Sequence, residues 1–312
     1  MSYTIGLDLG GTAIKGGLLD DVANVMAQDK IPTRPEEGPD GVFTRMAEFA
    51  DRLCDEAKID PDEVRAVGVG VPGPMTTEGM LLYAPNLAGW RNIPIQKQFG
   101  RKLRWPVRVV NDADAAAYGE YWAGAARDQT IQYSILLTLG TGVGGGIILD
   151  GEIYSGPHGA GAELGHTIVQ LNGHPCGCGQ RGCLEQYTSA TAIAKEAKRR
   201  LEAGAASTLS GNPTARDVFQ AMEAGDKMAT EVVDLCCEYL AIACVNMTRI
   251  FDPQMILLGG GVTAAGSALL DRVRADYQKH SLTIYEARAR IELASLGNDA
   301  GFIGAAGMTR GR

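Results

Sequence analysis

Cys176, Cys178 and Cys183 stand in the spacing C-x-C-x4-C among Gly177, Gly179 and Gly182, with His166 and His174 upstream. Three thiolates and one imidazole complete a tetrahedral structural zinc site, and a closed set of four ligands does no chemistry itself. Glycines between the thiols leave little core for reduced cysteines to join, and a C-x-C bridge is strained. Either histidine satisfies the ligand count. Zinc binding contributes on the order of 10 kcal/mol to the folding of such a module. That is enough to fix the flanking carboxylates Glu163 and Glu185, which can then bond hydroxyl groups of a small polar ligand. Cys54, Cys236, Cys237 and Cys244 lie in apolar, helix-like stretches and are expected to be packed side chains.

Two glycine loops suggest a second chemistry. Gly10-Gly11-Thr12 and Gly140-Thr141-Gly142-Val143-Gly144 combine bare backbone with a hydroxyl, and such N–H groups approach phosphate oxygens closely. Hairpin geometry alone also favours glycine at these places. Gly140, Gly142 and Gly145 fit G-x-G-x-x-G, as do Gly68, Gly70 and Gly73. The first set runs into the strand-like Ile147-Ile148-Leu149 and the second carries Pro72 and Pro74, so neither opens the helix that a dinucleotide fingerprint requires. G-x-x-x-x-G-K-[ST] is absent. Asp8, just before the first loop, is placed to hold Mg2+ through water, or to make an Asx turn. Lys15 is either a phosphate partner or a solvated hairpin lysine.

Asp112 follows the strand Val107–Val110 and Asn111, at the start of an alanine-rich helix. A carboxylate there is ionised at neutral pH and can orient an alcohol and accept its proton during phosphoryl transfer. Asp and Asn are also favoured helix N-caps, which accounts for the pair without any reaction.

These residues sit on a chain that repeats itself. At an offset of 130, Tyr3, Ile5, Leu7, Leu9, Gly10, Gly16, Leu19 and Asp20 match Tyr133, Ile135, Leu137, Leu139, Gly140, Gly146, Leu149 and Asp150. Val67–Gly70 returns as Ile256–Gly259, and Asn111-Asp112-Ala113 as Asn298-Asp299-Ala300. Each half reads as hairpin, helix, strand and helix on an α/β sheet, the Cys/His cluster being an insertion in the second. The expected division is a small N-terminal lobe over 1–113, with a C-terminal helix 299–312 packing back onto it. A larger lobe over 114–298 carries the zinc module 166–183, and a central cleft lies between duplicated lobes. Helices are expected over 40–57, 113–123, 189–203, 215–224, 227–250 and 267–279.

Bulk properties narrow the partners. A net charge of −8 and a pI near 5.1 speak against a surface built for nucleic acid or for an anionic membrane. The apolar runs are far shorter than a membrane span, and strand-like sequence begins at Tyr3 with no leader pattern. The expectation is a cytoplasmic protein acting on a small molecule.

Together the motifs resemble the ROK family (repressor, open reading frame, kinase) of the actin, hexokinase and Hsp70 superfamily, over nearly the whole chain. Asp8–Thr12 resembles the family's first phosphate motif, Leu139–Gly146 its second and Leu258–Val262 its adenosine motif. Glu163–His166 and Cys176–Glu185 resemble the family signature. The resemblance implies actin-like (ribonuclease H-like) lobes. It implies ATP and Mg2+ held by Asp8, Gly10, Gly11, Thr12, Lys15, Thr138, Gly140, Thr141, Gly142, Gly259, Gly260 and Gly261. It also implies that His166 rather than His174 joins the three cysteines on structural Zn2+. A hexose is implied at Gly73, Asn86, Asn111, Asp112, Glu163, His166 and Glu185, with Asp112 as the base and a dimer or tetramer as the assembly.

Glucokinase activity follows from that resemblance, giving glucose 6-phosphate and ADP. The alternatives are an N-acetylmannosamine or N-acetylglucosamine kinase, or a fructokinase, separated by the space near the second carbon of the sugar. Polyphosphate as donor finds no basic track. The family's repressors carry an N-terminal helix-turn-helix, for which a first strand at Tyr3 leaves no room. A sensor without catalysis would have lost Asp112 or the phosphate glycines, and both are present.

Overall fold

The computed structural model describes residues 2–84, 86–282 and 289–310. Alternating apolar residues around Gly10-Gly11-Thr12 fold into β1 (Tyr3–Leu9) and β2 (Ala13–Asp20), antiparallel with Leu9 opposite Ile14. The chain continues through β3 (Val25–Pro32), α1 (Gly38–Ala57), β4 (Val64–Val71), β5 (Leu81–Ala84), β6 (Trp90–Ile93), α2 (Ile95–Gly100), β7 (Val107–Asn111) and α3 (Asp112–Trp122). A second hairpin follows, β8 (Ser134–Leu139) and β9 (Val143–Leu149), with a short β10 (Glu152–Ile153). Then come α4 (Glu185–Thr188), α5 (Ala190–Glu202), α6 (Ala215–Glu223), α7 (Lys227–Phe251), β11 (Met255–Gly259), α8 (Ser267–His280), β12 (Arg290–Leu293) and α9 (Ala300–Gly307). The six helices expected from apolar periodicity are α1, α3, α5, α6, α7 and α8. The helix expected over 299–312 is α9, and the last two residues of that range lie outside the described ones.

Among the described residues two mixed five-stranded sheets result, ordered β3-β2-β1-β4-β7 and β10-β9-β8-β11-β12, with β5 and β6 forming a separate pair. In the first, β1, β4 and β7 run parallel; in the second, β8, β11 and β12 do. Hairpin, strand and strand therefore recur in one spatial order, as the sequence repeat requires.

The chain forms two compact units, Met1–Gln132 with Gly146–Ala162 and Ser295–Arg312, and Tyr133–Gly145 with Glu163–Ala294. In the first unit, period-two alternation sends successive residues to opposite faces of the sheet. Leu18 joins a core with Phe43, Met46, Phe49 and Leu53 of α1, whereas its neighbour Leu19 packs with Phe302, Ile303 and Ala306 of α9. Helix α9 also lies along α3. In the second unit, α7 is the central helix, touching α4, α5, α6 and α8. Its N-terminus is capped by Asp226, which also accepts from the Ser207 and Thr208 hydroxyls. Burial works against ionisation of Asp226, but these bonds outweigh it and hold the carboxyl well below the usual range.

Cys54, Cys236, Cys237 and Cys244 are all buried. Desolvation pushes the thiol pKa to about 11 for Cys54 and about 12 for Cys236 and Cys244, as suits inert core side chains.

Glu120 fixes the far end of α3. Its fully buried carboxylate accepts the N–H groups of Ala125, Ser295 and Leu296 at 2.8, 2.9 and 2.7 Å. Charge-assisted bonds of this kind contribute about 1.5–3 kcal/mol each, and their loss leaves donors unpaired. Glu120→Ala should therefore cost about 3 kcal/mol or more, read as a lower urea midpoint; an unchanged midpoint would show that the carboxylate carries no such weight.

Candidate active site

In the first unit, three strand ends collect the candidate residues. The turn after β1 spends the Gly10 N–H on the Ala13 carbonyl, 3.0 Å away. Thr33 braces the same turn, its N–H on the Thr12 carbonyl at 3.0 Å and its hydroxyl on the Gly10 carbonyl at 2.6 Å. The amides of Gly11 and Thr12 have no partner among the described residues and suit an anion. A Cβ at Gly11 would stand 2.5 Å from the Asn86 carbonyl, so a side chain there would displace Asn86.

Asp8 and Asp112 flank one glycine. A Cβ on Gly70, near the end of β4, would lie 3.6 Å from the Asp112 Cα and 3.8 Å from Asp8 Oδ1. Burial raises the Asp8 pKa, opposed by the charge of Lys15. A desolvated carboxylate short of positive charge is a fitting partner for a divalent cation. Lys15 itself donates to the Asn298 carbonyl at 3.0 Å, which ties the hairpin to the start of α9.

Asn111, not Asp112, caps α3. Its Oδ1 accepts from Ala113 and Asp114 N–H at 2.9 and 3.3 Å, and its Nδ2 donates to the Gly73 carbonyl at 3.1 Å. Gly73 has φ +109° in the turn after β4. Asp112 occupies the first helical position, where its Oδ1 accepts from Ala113 N–H at 2.9 Å. Asn111 is therefore the cap residue, and Asp112 adds a bond to the same Ala113 N–H from within the first turn.

In the second unit, Gly140 N–H bonds the Gly142 carbonyl at 2.9 Å, repeating the closure of the first loop. The Thr141 and Gly142 amides have no partner among the described residues. Thr138 pairs with Gly259 in the parallel register of β8 and β11, so the second loop and the Gly259-Gly260-Gly261 run leave adjacent strand ends. Beside that run lies a cavity of about 490 Å3, lined by Arg216, Phe219, Gln220 and Glu223 of α6 with Gly261 and Val262. The sequence reading missed these α6 residues. The capping box of Thr214 and Asp217 marks where α6 starts, but not what it faces.

His166, Cys176, Cys178 and Cys183 converge, with one ligand atom from each lying within 4.8 Å of the others. Cys176 Sγ is 3.6 Å from His166 Nδ1, and Cys178 Sγ is 3.6 Å from Cys183 Sγ. Atoms at the vertices of a tetrahedral zinc site lie about 3.6–3.8 Å apart, so the four residues fit that ion. His174 is elsewhere, its ring against Tyr187 at 5.2 Å and its N–H on the Tyr187 hydroxyl. Glu163 is exposed and leads into the turn Leu164–His166. Glu185 opens α4 and turns its Oε2 to the Val143 N–H at 3.1 Å.

Known proteins resemble this chain over nearly its whole length. The glucokinase of Halalkalibacterium halodurans is 36% identical over 310 residues, covering 97% of this chain and 93% of that one. The crystal structure of a ROK hexokinase from Thermus thermophilus has a TM-score of 0.84 at 34% identity, covering 98% and 97% of the two chains. A Streptomyces griseus ROK family glucokinase, solved in complex with glucose and AMPPNP, has a TM-score of 0.78 at 31% identity and covers 99% of each chain. The ROK family model itself matches residues 4–312. With its glycine loops, adjoining aspartates and Cys/His cluster in place, the chain belongs to the ROK family.

Proposed function

We propose that the protein is an ATP-dependent hexose kinase, a glucokinase that converts ATP and D-glucose to ADP and D-glucose 6-phosphate. The observation that carries this reading is the meeting of Asp8 and Asp112 at Gly70, one carboxylate beside a glycine loop and the other in the first turn of α3, whose cap residue is Asn111. Full-length similarity to glucokinases supports the choice of sugar.

In this reading each sheet with its helices is one actin-like lobe, and residues 166–183 are a zinc-binding insertion. Asp112 accepts the proton of the sugar 6-hydroxyl as its oxygen bonds to the γ-phosphorus and the bond to the ADP oxygen breaks. The amides of Gly11, Thr12, Thr141 and Gly142 bind phosphate oxygens, and Gly259, Gly260 and Gly261 with the α6 cavity accept the nucleoside. Asp8 would hold Mg2+, which would supply positive charge to a bound polyphosphate. Gly73, Asn86, Asn111, Glu163, His166 and Glu185 bind sugar hydroxyls. His166, Cys176, Cys178 and Cys183 would hold a structural Zn2+, which would order the chain carrying Glu163 and Glu185.

The test is kcat/KM with MgATP across glucose, mannose, fructose, N-acetylglucosamine and N-acetylmannosamine. Glucose should rank first; a higher value for an N-acetylated sugar would replace the proposed substrate with a hexosamine.

A further inference from the structure

We propose that Glu185 is a positioning residue for the second glycine loop, linking it to the Cys/His cluster so that MgATP affinity depends on this carboxylate even without sugar. The inference rests on the phosphate-binding role proposed above for residues 140–142.

Four consecutive residues of the loop are gripped by chain that flanks the cluster. The Gly140 carbonyl accepts the Ala190 N–H at 2.9 Å, and the Thr141 carbonyl accepts the Thr191 hydroxyl at 2.8 Å. A Cβ at Gly142 would stand 2.4 Å from Glu185 Oε2, and that same oxygen accepts the Val143 N–H. On the other side, a Cβ at Gly165, the residue before His166, would stand 2.0 Å from the Val143 carbonyl. The cluster reaches Glu185 directly, Cys176 Sγ lying 3.9 Å from Glu185 Oε1, and through Gln186, whose Nε2 donates to Glu185 Oε1 at 3.2 Å and to Cys176 Sγ at 3.6 Å.

Val143 is buried, and its N–H finds an acceptor in that carboxylate. With Val143 and Gly140 committed, the Thr141 and Gly142 amides are presented in a fixed direction. A preformed loop spares the nucleotide the cost of ordering it. Loss of the charged acceptor frees the loop, and a hydrogen bond to a charged group corresponds to about tenfold or more in affinity.

The experiment titrates MgAMPPNP into full-length, zinc-loaded protein by calorimetry in the absence of sugar, with zinc content measured and amide exchange followed at Val143. Glu185→Ala should retain zinc, bind MgAMPPNP at least about tenfold more weakly and exchange the Val143 amide at least about tenfold faster. Glu185→Gln keeps a carbonyl acceptor and should stay within about threefold of wild type in both. Unchanged nucleotide affinity or unchanged Val143 exchange in Glu185→Ala overturns the proposal. If that variant loses zinc or does not fold, Gln186→Ala replaces it, with a loss of about threefold expected and wild-type behaviour in both readouts overturning the proposal. Wild-type protein that binds no MgAMPPNP would instead defeat the kinase reading.

Discussion

Asp112→Asn should lower turnover with MgATP and glucose by roughly 10²–10⁴ while leaving glucose affinity within a few-fold, because general-base loss acts on the transition state rather than on ground-state binding. The isosteric amide keeps the acceptor for Ala113 N–H, and α3 keeps its Asn111 cap, so the helix start should be undisturbed. The measurements are steady-state kinetics with direct calorimetry of glucose binding. Near-normal turnover would remove Asp112 from the reaction; a collapse of affinity with unchanged kcat would make it a binding group only.

Cys178→Ala should abolish zinc binding and raise the glucose KM by about 10–100-fold, more than any single surface change. Cys178 is the exposed member of the cluster, so its removal creates no cavity of consequence. A closed four-ligand site contributes on the order of 10 kcal/mol to the order of its module, most of which three ligands cannot supply. Glu163 and Glu185 sit immediately outside that module, and each charged hydrogen bond to a hydroxyl is about 1.5–3 kcal/mol. Metal analysis, KM and calorimetry should move together. Metal-free protein with wild-type sugar affinity would separate the cluster from substrate binding.

Much of this was legible in the sequence where the signal is local. Period-two alternation gave both hairpins, and the matches from Tyr3 to Asp20 and Tyr133 to Asp150 anticipated two sheets of one strand order. The convergence of Cys176, Cys178 and Cys183 was legible because they lie within a few residues of one another, whereas spacing left His166 and His174 equal. What remained hidden depends on tertiary placement. Asn111 and Asp112 are both good caps, so composition leaves open which one takes the duty. The Lys15 bond to Asn298 spans 283 residues and the Glu185 bond to Val143 spans 42, distances at which spacing carries no information. Strand β3, mostly exposed, shows little alternation of burial, and β5, β6 and β12 are only four residues long. The α6 cavity follows from α6 lying against residues 261–265, a tertiary contact that residue patterns do not report.

A hexose kinase transfers the γ-phosphoryl group of ATP to a sugar hydroxyl, and the most direct test of that activity is to follow MgATP and glucose with purified protein by phosphorus NMR. Glucose 6-phosphate and ADP should form in equal amounts, with no phosphate release in the absence of sugar. ADP accompanied by free phosphate rather than a sugar ester, or no ADP with any hexose in the panel while glucose still binds, would contradict it.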